Sequence, residues 1–343
     1  MLMTKIYQPD EVDQAAQELR LGELIAFPTE TVYGLGADAT NEQAVKRVYL
    51  AKGRPSDNPL IVTISSVAMA EQYIAEIPPA ARKLMAKFWP GSLTMVFKIK
   101  PGSLSKTVTG GLKTAAFRMP QETTTLRLIE AAGVPLVGPS ANTSGKPSPT
   151  TAQHVFNDLE GRIAGIVDDG PTKVGVESTI LDMSVPVPTI LRPGAVTVEE
   201  IEAVLGMEVV ADRHHVGQKE VPKAPGMKYK HYAPAGQVVI VAPDQWEAAL
   251  KWAQAKAEKV GVMVDQSLLG QQTIPANVEV FDYGSGIINA THKLFAGLRY
   301  FDGQAKKVNW ILVAGYPEEG LGAAYMNRLR KSAGNVFFSD LED

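Results

Sequence analysis

A change of pattern at residues 207–236 constrains the fold more than any other feature. On both sides of it, short apolar or β-branched runs alternate with segments of helical periodicity, the pattern of α/β domains. The segment itself has three prolines and no sustained period, so it is either a flexible linker or a functional element. Its lysines are Lys219, Lys223, Lys228 and Lys230. The sequence predicts α/β domains over residues 1–206 and 237–343.

The periodicity places specific elements in each domain. In the first domain we predict strands over 24–27, 60–64, 93–99, 115–118, 136–138, 165–168 and 178–181. The predicted helices there are 41–51, with Asn41 as its N-cap, 79–88, 122–132, 151–159 and 198–205. In the second domain we predict strands over 238–241, 260–264, 278–281 and 310–314, and helices over 244–259, 287–300 and 322–329. Strict alternation in this second domain predicts a small, parallel, doubly wound sheet.

Composition excludes several classes of protein. The 343 residues include no cysteine, which rules out disulfides, thiolate metal sites and a cysteine nucleophile. Lys and Arg number 34 against 37 Asp and Glu, so the chain is not a polycation that would coat nucleic acid. No apolar run approaches the ~18 residues of a membrane helix. The amino-terminal stretch lacks the apolar core of a signal peptide, so we expect a cytoplasmic protein without a membrane part.

Several familiar motifs are absent or misleading. There is no GxxxxGK[ST] phosphate-binding loop. Gly34 and Gly36 imitate a dinucleotide fingerprint, but Pro28 breaks the run before them and cations replace the acidic partner expected about 20 residues later. The five histidines show no metal-ligand spacing, so we predict no metal site made by the protein alone. They are His154, His214, His215, His231 and His292.

Two early stretches carry candidate chemistry. The run FPTETVYGLG at 27–36 puts hydroxyls and a carboxylate at the end of a predicted strand, where α/β crevices open, unless it is only a polar strand-to-helix turn. The run KGRPSDNPL at 52–60 sets Lys52 and Arg54 around a glycine at a helix end. Those cations suit phosphate binding, or they merely complement the helix dipole, and spacing alone does not decide between the two.

Two later stretches complete the set. The run PSANTSGKPS at 139–148 follows an apolar strand and is either an anion-binding nest or a plain polar loop. The pair ESTI at 177–180 and LRPG at 191–194 holds Arg192 between an apolar strand and a Pro-Gly turn. An arginine there is either a ligand contact or a charge at a strand edge.

In this order and spacing, the five stretches resemble the YrdC-type catalytic domain of threonylcarbamoyl-AMP synthases, over residues 10–205. The run PGMKYKHYAP at 225–234 and the domain after it resemble the long, two-domain form of that family. The resemblance implies a YrdC-like twisted mixed sheet with flanking helices, plus a smaller Rossmann-like three-layer α/β domain. It also implies that residues 207–236 are a linker and lid over the active site.

The resemblance implies an activity and its partners. The family makes L-threonylcarbamoyl-AMP from L-threonine, bicarbonate and ATP, with Mg²⁺, and releases pyrophosphate. A downstream transferase complex then moves the threonylcarbamoyl group to an adenosine next to the anticodon of tRNA. Two other functions stay open from the residues: an RNA-binding module without chemistry, and carbamoyl transfer from another donor.

The resemblance also implies roles for individual residues. The implied L-threonine pocket consists of Thr31, Thr63, Arg118, Gly138 and Ser178. The implied ATP site consists of Lys52, Arg54, Asn58, Thr114, Ser140, Ser148, Arg192 and Tyr232, with Lys52 and Arg54 as the catalytic cations. Many relatives have histidine where this chain has Thr63, and a hydroxyl cannot titrate near neutral pH, so no acid–base role is expected at that position.

Overall fold

The computed structural model describes residues 3–211, 222–224, 231–270, 272–303 and 308–341. The chain divides into two compact units. The first comprises Met1–Ser144 and Ser148–Tyr229, and the second comprises Lys230–Asp343 together with Gly145–Pro147. Predicted features at His214, His215, Lys219, Lys228 and Lys230 lie outside the described residues. Within the described part of the chain, no helix is both long and apolar enough to cross a membrane.

The first unit is built on one large mixed sheet. Its strands are β1 (Lys5–Tyr7), β2 (Ile25–Phe27), β3 (Gly34–Asp38), β4 (Ile61–Thr63), β5 (Leu93–Lys98), β6 (Thr114–Arg118), β7 (Leu136–Val137), β8 (Gly165–Val167), β9 (Thr179–Asp182), β10 (Thr189–Arg192) and β11 (Val210–Ala211). They lie in the order β1-β8-β2-β3-β7-β4-β6-β5-β9-β10-β11. Parallel and antiparallel pairs both occur, as in β4 with β6 and β5 with β6. This arrangement confirms the predicted mixed α/β fold.

Helices flank this sheet. They are α1 (Val12–Arg20), α2 (Glu42–Lys52), α3 (Val67–Glu71), α4 (Pro79–Phe88), α5 (Lys106–Thr109), α6 (Thr123–Ala132), α7 (Ala152–Leu159) and α8 (Val198–Leu205). Asn41 caps α2 as predicted, because its side chain accepts from the backbone N–H groups of Gln43 and Ala44. One apolar cluster joins α2, α4 and α7 to the sheet, and another packs α1 and α6 together.

One of the two interpretations of the FPTETVYGLG run, the polar strand-to-helix turn, is wrong. Gly34 begins β3, which pairs antiparallel with β2. These glycines serve close packing rather than a left-handed backbone. A Cβ at Gly34 would lie 2.7 Å from the Phe27 ring, and one at Gly36 would lie 2.8 Å from the carbonyl oxygen of Ile25. The polar residues 28–33 therefore form the connection between two neighbouring strands.

The second unit has the predicted parallel sheet. Its strands are β12 (Gln237–Val241), β13 (Val260–Val264), β14 (Val278–Asp282) and β15 (Trp310–Ala314), and its helices are α9 (Trp246–Gln254), α10 (Gly286–Asp302) and α11 (Leu321–Ala333). The strand order is β12-β15-β13-β14, and every pair is parallel. Helix α9 is shorter than predicted. The Asn277 amide donates to the carbonyls of Ala253, Lys256 and Glu258, which satisfies these acceptors without further helical turns.

Candidate active site

Arg118 is the most elaborately held polar side chain in the first unit. It ends β6 and is 8% exposed. Its Nη2 donates to a Glu30 carboxylate oxygen at 2.6 Å, its Nη1 to the Thr31 hydroxyl at 2.8 Å, and its Nε to the carbonyl of Gly91 at 3.3 Å. These bonds use three of the five guanidinium N–H groups. The other two have no partner among the described residues.

Glu30 fixes this arginine from the β2–β3 connection. It is 2% exposed, and it also accepts from the Ser92 hydroxyl and from the backbone N–H of Gln121. Burial alone would raise the pKa of this carboxyl. The Arg118 guanidinium and the two other donors outweigh burial, so the pKa of Glu30 lies below its usual value. Glu30 is therefore ionised at neutral pH and sets the orientation of Arg118.

Thr63 and Gly138 lie against each other beside this pair. Thr63 is the register partner of Arg118 on the neighbouring parallel strand β4. A Cβ at Gly138 would lie 2.3 Å from the Thr63 hydroxyl oxygen and 3.1 Å from the Phe27 ring. Glycine at this position thus lets the start of the PSANTSGKPS loop approach strands β4 and β6, which carry Thr63 and Arg118.

Ser178 closes the same end of the sheet. Its hydroxyl lies 2.8 Å from that of Thr94 on β5, and both residues are buried. The Arg192 guanidinium donates through Nη2 to the carbonyl of Ser178 at 2.9 Å. A Cβ at Gly194 would lie 2.2 Å from the backbone nitrogen of Thr179. The ESTI and LRPG runs therefore form one packed structure.

Strand geometry puts these side chains on one face. Alternate residues of a strand point to the same side, so Thr114 and Ala116 share the face of Arg118 on β6, and Ile61 shares that of Thr63 on β4. Two residues of a strand span about 7 Å. The face thus has a polar end at Thr63 and Arg118, an apolar row at Ile61 and Ala116, and Thr114 beyond it.

Further apolar side chains pack over the row formed by Ile61 and Ala116. Ile61, Ala116 and Val96 form a buried cluster with Ile180, Leu191 and Ala224. Ala224 comes from the segment between the two predicted domains and is fully buried. Its neighbour Lys223 lies 3.3 Å from the buried Asp182 carboxylate. Residues 222–224 therefore pack on the site-bearing face of the sheet.

Lys52 organises the PSANTSGKPS loop. It ends α2, is 1% exposed, and donates through Nζ to the carbonyls of Ser140 and Asn142, the latter at 2.6 Å. At its other end, the Ser148 hydroxyl donates to a Glu177 carboxylate oxygen at 2.6 Å, and both residues are buried. The two serines of the implied ATP site are thus tied to the KGRPSDNPL and ESTI runs respectively.

Arg54 and Asn58 lie on the connection from α2 to β4. Arg54 donates to the carbonyl of Pro59 at 3.3 Å and borders a cleft of about 840 Å³, which Lys46 and Lys106 also line. Burial raises the pKa of the adjacent Tyr49 to about 12, although the Arg54 guanidinium acts in the opposite direction. Asn58 is 1% exposed, and its side-chain oxygen accepts no hydrogen bond within the described residues. A buried acceptor of this kind is normally hydrogen-bonded, so a bound ligand can supply the donor.

The structure thus brings most predicted site residues together in the first unit. Tyr232 belongs to the second, where it has a φ of +64° and packs on Phe295, with ring centroids 5.0 Å apart. Four partners were not named as site residues: Glu30, Ser92, Thr94 and Glu177. Glu30 is the carboxylate noted in the FPTETVYGLG run, and Glu177 lies in the ESTI run, so charge was a usable signal for both, whereas nothing local marks Ser92 or Thr94.

Comparison with known proteins agrees with this geometry. The family model described as "Telomere recombination" (Sua5_yciO_yrdC) matches residues 17–194, and "Threonylcarbamoyl-AMP synthase, C-terminal domain" matches 196–334. The chain is 46% identical to a Bacillus subtilis threonylcarbamoyl-AMP synthase, covering 94% of this chain and 93% of the relative. It is 45% identical to the Pyrococcus abyssi threonylcarbamoyl-AMP synthase, covering 93% of each.

A solved structure matches over both units. It is P. abyssi Sua5 complexed with L-threonine, with a TM-score of 0.89 and 42% identity over 98% of each chain. Fold and site together define a two-domain α/β nucleotidyltransferase with a YrdC-type catalytic domain. The chain belongs to the threonylcarbamoyl-AMP synthase family.

Proposed function

We propose that this chain makes L-threonylcarbamoyl-AMP from L-threonine, bicarbonate and ATP, with release of pyrophosphate. This is the first step of threonylcarbamoyladenosine modification of tRNA next to the anticodon. The observation that carries the proposal is the buried Arg118, held by Glu30 and Thr31 with two N–H groups left for a carboxylate.

The L-threonine pocket in this proposal surrounds Arg118. The guanidinium binds the substrate carboxylate, and Thr31, Thr63 and Ser178 offer hydroxyls for the remaining polar groups. Gly138 leaves the room that a side chain would fill. Support for one shared pocket comes from the contacts of Thr31 with Arg118 and of Thr63 with Gly138.

The reaction needs no protein nucleophile. The threonine amine and bicarbonate first condense to a carbamate with loss of water. A carbamate oxygen then attacks the α-phosphate of ATP, the bond to the bridging oxygen breaks, and pyrophosphate leaves. Such a displacement depends on positioning and on neutralising charge. A site without cysteine can therefore support this displacement.

The ATP site in this proposal lies beyond the apolar row. Lys52 and Arg54 are its catalytic cations, and Asn58, Thr114, Ser140, Ser148, Arg192 and Tyr232 complete it. Two observations support the assignment. No described residue donates to the buried side-chain oxygen of Asn58. Lys52 and Arg192 are buried cations that donate to backbone carbonyls of the PSANTSGKPS and ESTI runs. ATP enters as its Mg²⁺ complex, so the metal arrives as part of the substrate.

Residues 207–236 act as a linker and lid in this account. Ala224 lies buried on the apolar row that separates the two substrate ends of the face. A cover at that place keeps water from the reactive mixed anhydride. Strand β11 at Val210–Ala211 begins the segment, which is therefore not wholly irregular as its composition suggested.

We further infer that the product passes to a threonylcarbamoyl transferase complex in the cytoplasm. A carbamoyl-adenylate hydrolyses readily, so a consuming enzyme must be close at hand. The whole proposal is tested by incubating the protein with labelled bicarbonate, L-threonine and ATP and separating the adenylates. We expect label in a new adenylate only when threonine is present. Label incorporated from carbamoyl phosphate instead of bicarbonate would replace the proposal with carbamoyl transfer from another donor.

A further inference from the structure

The loop that bears Ser140 and Ser148 is shared between the two compact units. Its outer residues pack in the first unit, but Gly145–Pro147 belong to the second. Gly145 has a φ of +92°, and Pro147 is buried. Pro147 is joined directly to Ser148, whose hydroxyl donates to Glu177. Whatever fixes Pro147 therefore also limits where Ser148 can lie.

Arg299 of helix α10 fixes the position of Pro147. Its Nη2 and Nε both donate to the carbonyl oxygen of Pro147, at 2.6 and 3.1 Å. Hydrogen bonds from a guanidinium are charge-assisted, and two on one acceptor restrict its position in both distance and angle. Beside them, the backbone N–H of Ala233 donates to the carbonyl of Gly145 at 2.9 Å. The tip of the loop is thus held by two elements of the second unit.

The same face of helix α10 also contacts residues near the start of the second unit, Tyr232 and Ala235. Residues 295, 299 and 302 are spaced four and three apart, which places them on one side of a helix. Phe295 stacks on Tyr232, and the Asp302 carboxylate accepts from the backbone N–H of Ala235 at 2.7 Å. Tyr232 is kept at a φ of +64°, which a tyrosine rarely adopts unless its surroundings impose it. One helical stripe therefore positions both Tyr232 and the loop.

We propose that Arg299 is a positioning residue for ATP binding: through Pro147 it holds the loop on which Ser140 and Ser148 stand. This inference rests on the assignment of ATP to that loop in the proposed function. It gives the second unit a part in the reaction although its described residues carry no catalytic constellation of their own. Arg299 touches no substrate in this account and acts only through the backbone of the loop.

The test is an Arg299→Met variant of the full chain, compared with Arg299→Lys. Methionine keeps the length and helix propensity of the side chain but removes its donors. We expect the KM for ATP to rise about tenfold, as for a lost charge-assisted hydrogen bond, while the KM for L-threonine stays within about twofold. Lysine retains one charged donor, so it should restore much of the ATP affinity. A merely structural role would raise both KM values together and would overturn the inference.

Arg330→Met is the matched control. Arg330 lies on α11 of the same unit, and it pairs with Glu318 rather than with the loop. Its loss should leave both KM values unchanged. Amide hydrogen exchange of the peptide that covers residues 140–150 gives a readout without turnover. Exchange should accelerate in Arg299→Met and not in Arg330→Met, and equal exchange in the two variants would contradict the positioning role.

Ser148→Ala separates this inference from the function it rests on. If Ser148→Ala raises the KM for ATP and Arg299→Met does not, the role of Arg299 fails and the ATP assignment stands. If neither variant changes the KM for ATP, the assignment of ATP to the loop fails, and the inference fails with it. If both raise it and only Arg299→Met accelerates exchange in the loop, both stand.

Discussion

The Glu30 carboxylate lies 2.6 Å from the Arg118 guanidinium, and both side chains are buried at one end of a mixed sheet. Removing two charges from water is costly, and a buried pair is maintained only where further hydrogen bonds satisfy it. Here Ser92, Thr31 and the backbone of Gln121 supply those bonds. In the proposed function, this firmly held pair receives the carboxylate of L-threonine.

Arg118→Ala should abolish most L-threonine binding. Losing two charged hydrogen bonds to the substrate carboxylate is expected to raise the KM for threonine about 100-fold. The KM for ATP should change little. Arg82→Ala is the matched control, since Arg82 forms an exposed pair with Glu71 at 3.0 Å. Steady-state pyrophosphate release with each substrate varied checks both values, and equal effects of the two variants would refute the clamp.

The Glu30–Arg118 pair predicts a pH dependence of stability. The folded pKa of Glu30 is lowered, so its contribution is full above the unfolded pKa of about 4.3 and is lost as pH falls through the folded pKa. Glu30→Gln should therefore reduce the free energy of unfolding by about 3 kcal/mol at pH 7 and by clearly less near pH 3.5. Urea unfolding at both pH values measures the difference. If the difference in unfolding free energy between the wild type and Glu30→Gln stays constant with pH, ionised Glu30 stabilises the fold no more than its protonated form does.

Gly138 and Thr63 should be energetically coupled. A Cβ at Gly138 would lie 2.3 Å from the Thr63 hydroxyl oxygen, so Gly138→Ala should destabilise the protein and weaken threonine binding. Thr63→Ala removes that clash, and the double variant should regain about 1 kcal/mol relative to the sum of the single variants. Phe27 still limits the recovery, because its ring lies 3.1 Å from the same Cβ. Additive effects in denaturant unfolding would mean that the two residues do not meet.

Arg54→Ala should impair the chemical step. A preorganised charge beside the transferring phosphate contributes about 2–4 kcal/mol to transition-state stabilisation, so kcat/KM for ATP should fall about 30- to 1,000-fold. Arg47→Ala is the control, because Arg47 lies on α2, the helix that precedes Arg54, but pairs with Glu23. Threonine binding, followed by calorimetry without ATP, should stay unchanged in both. An Arg54 variant with normal turnover would remove this residue from the site.

Much of the fold follows from local pattern. Helices Pro79–Phe88 and Val198–Leu205 have the predicted bounds, since each combines an apolar period with a proline or a cap at its start. Strands Val260–Val264 and Trp310–Ala314 also have the predicted bounds, since each is a short apolar run between polar residues or a glycine. Helix α1 was not predicted, although its buried residues Val12, Ala15, Ala16 and Leu19 have helical spacing. Strand β3 was not predicted because its two glycines suggest a turn, and the Phe27 ring and the Ile25 carbonyl oxygen that explain them lie on the neighbouring strand.

The site was predictable through its motifs and not through its contacts. Lys52, Arg54 and Arg192 stood out as cations beside glycine and proline, although a charge that complements a helix dipole or lies at a strand edge was the alternative in each case. The partners of Arg118 did not stand out from the sequence, because Glu30 lies 88 residues from Arg118 and Ser92 lies 62 residues from Glu30. Such pairings depend on strand order in a mixed sheet, which no local period encodes. The bond from Arg299 to Pro147 spans 152 residues and was invisible for the same reason.

Pyrophosphate release with each substrate omitted in turn tests the central claim most directly. The account predicts release with ATP, L-threonine and bicarbonate together, and only background release when any one of the three is absent. Release that continues unchanged without threonine would contradict it, since the Glu30–Arg118 receptor would then serve no substrate of the reaction.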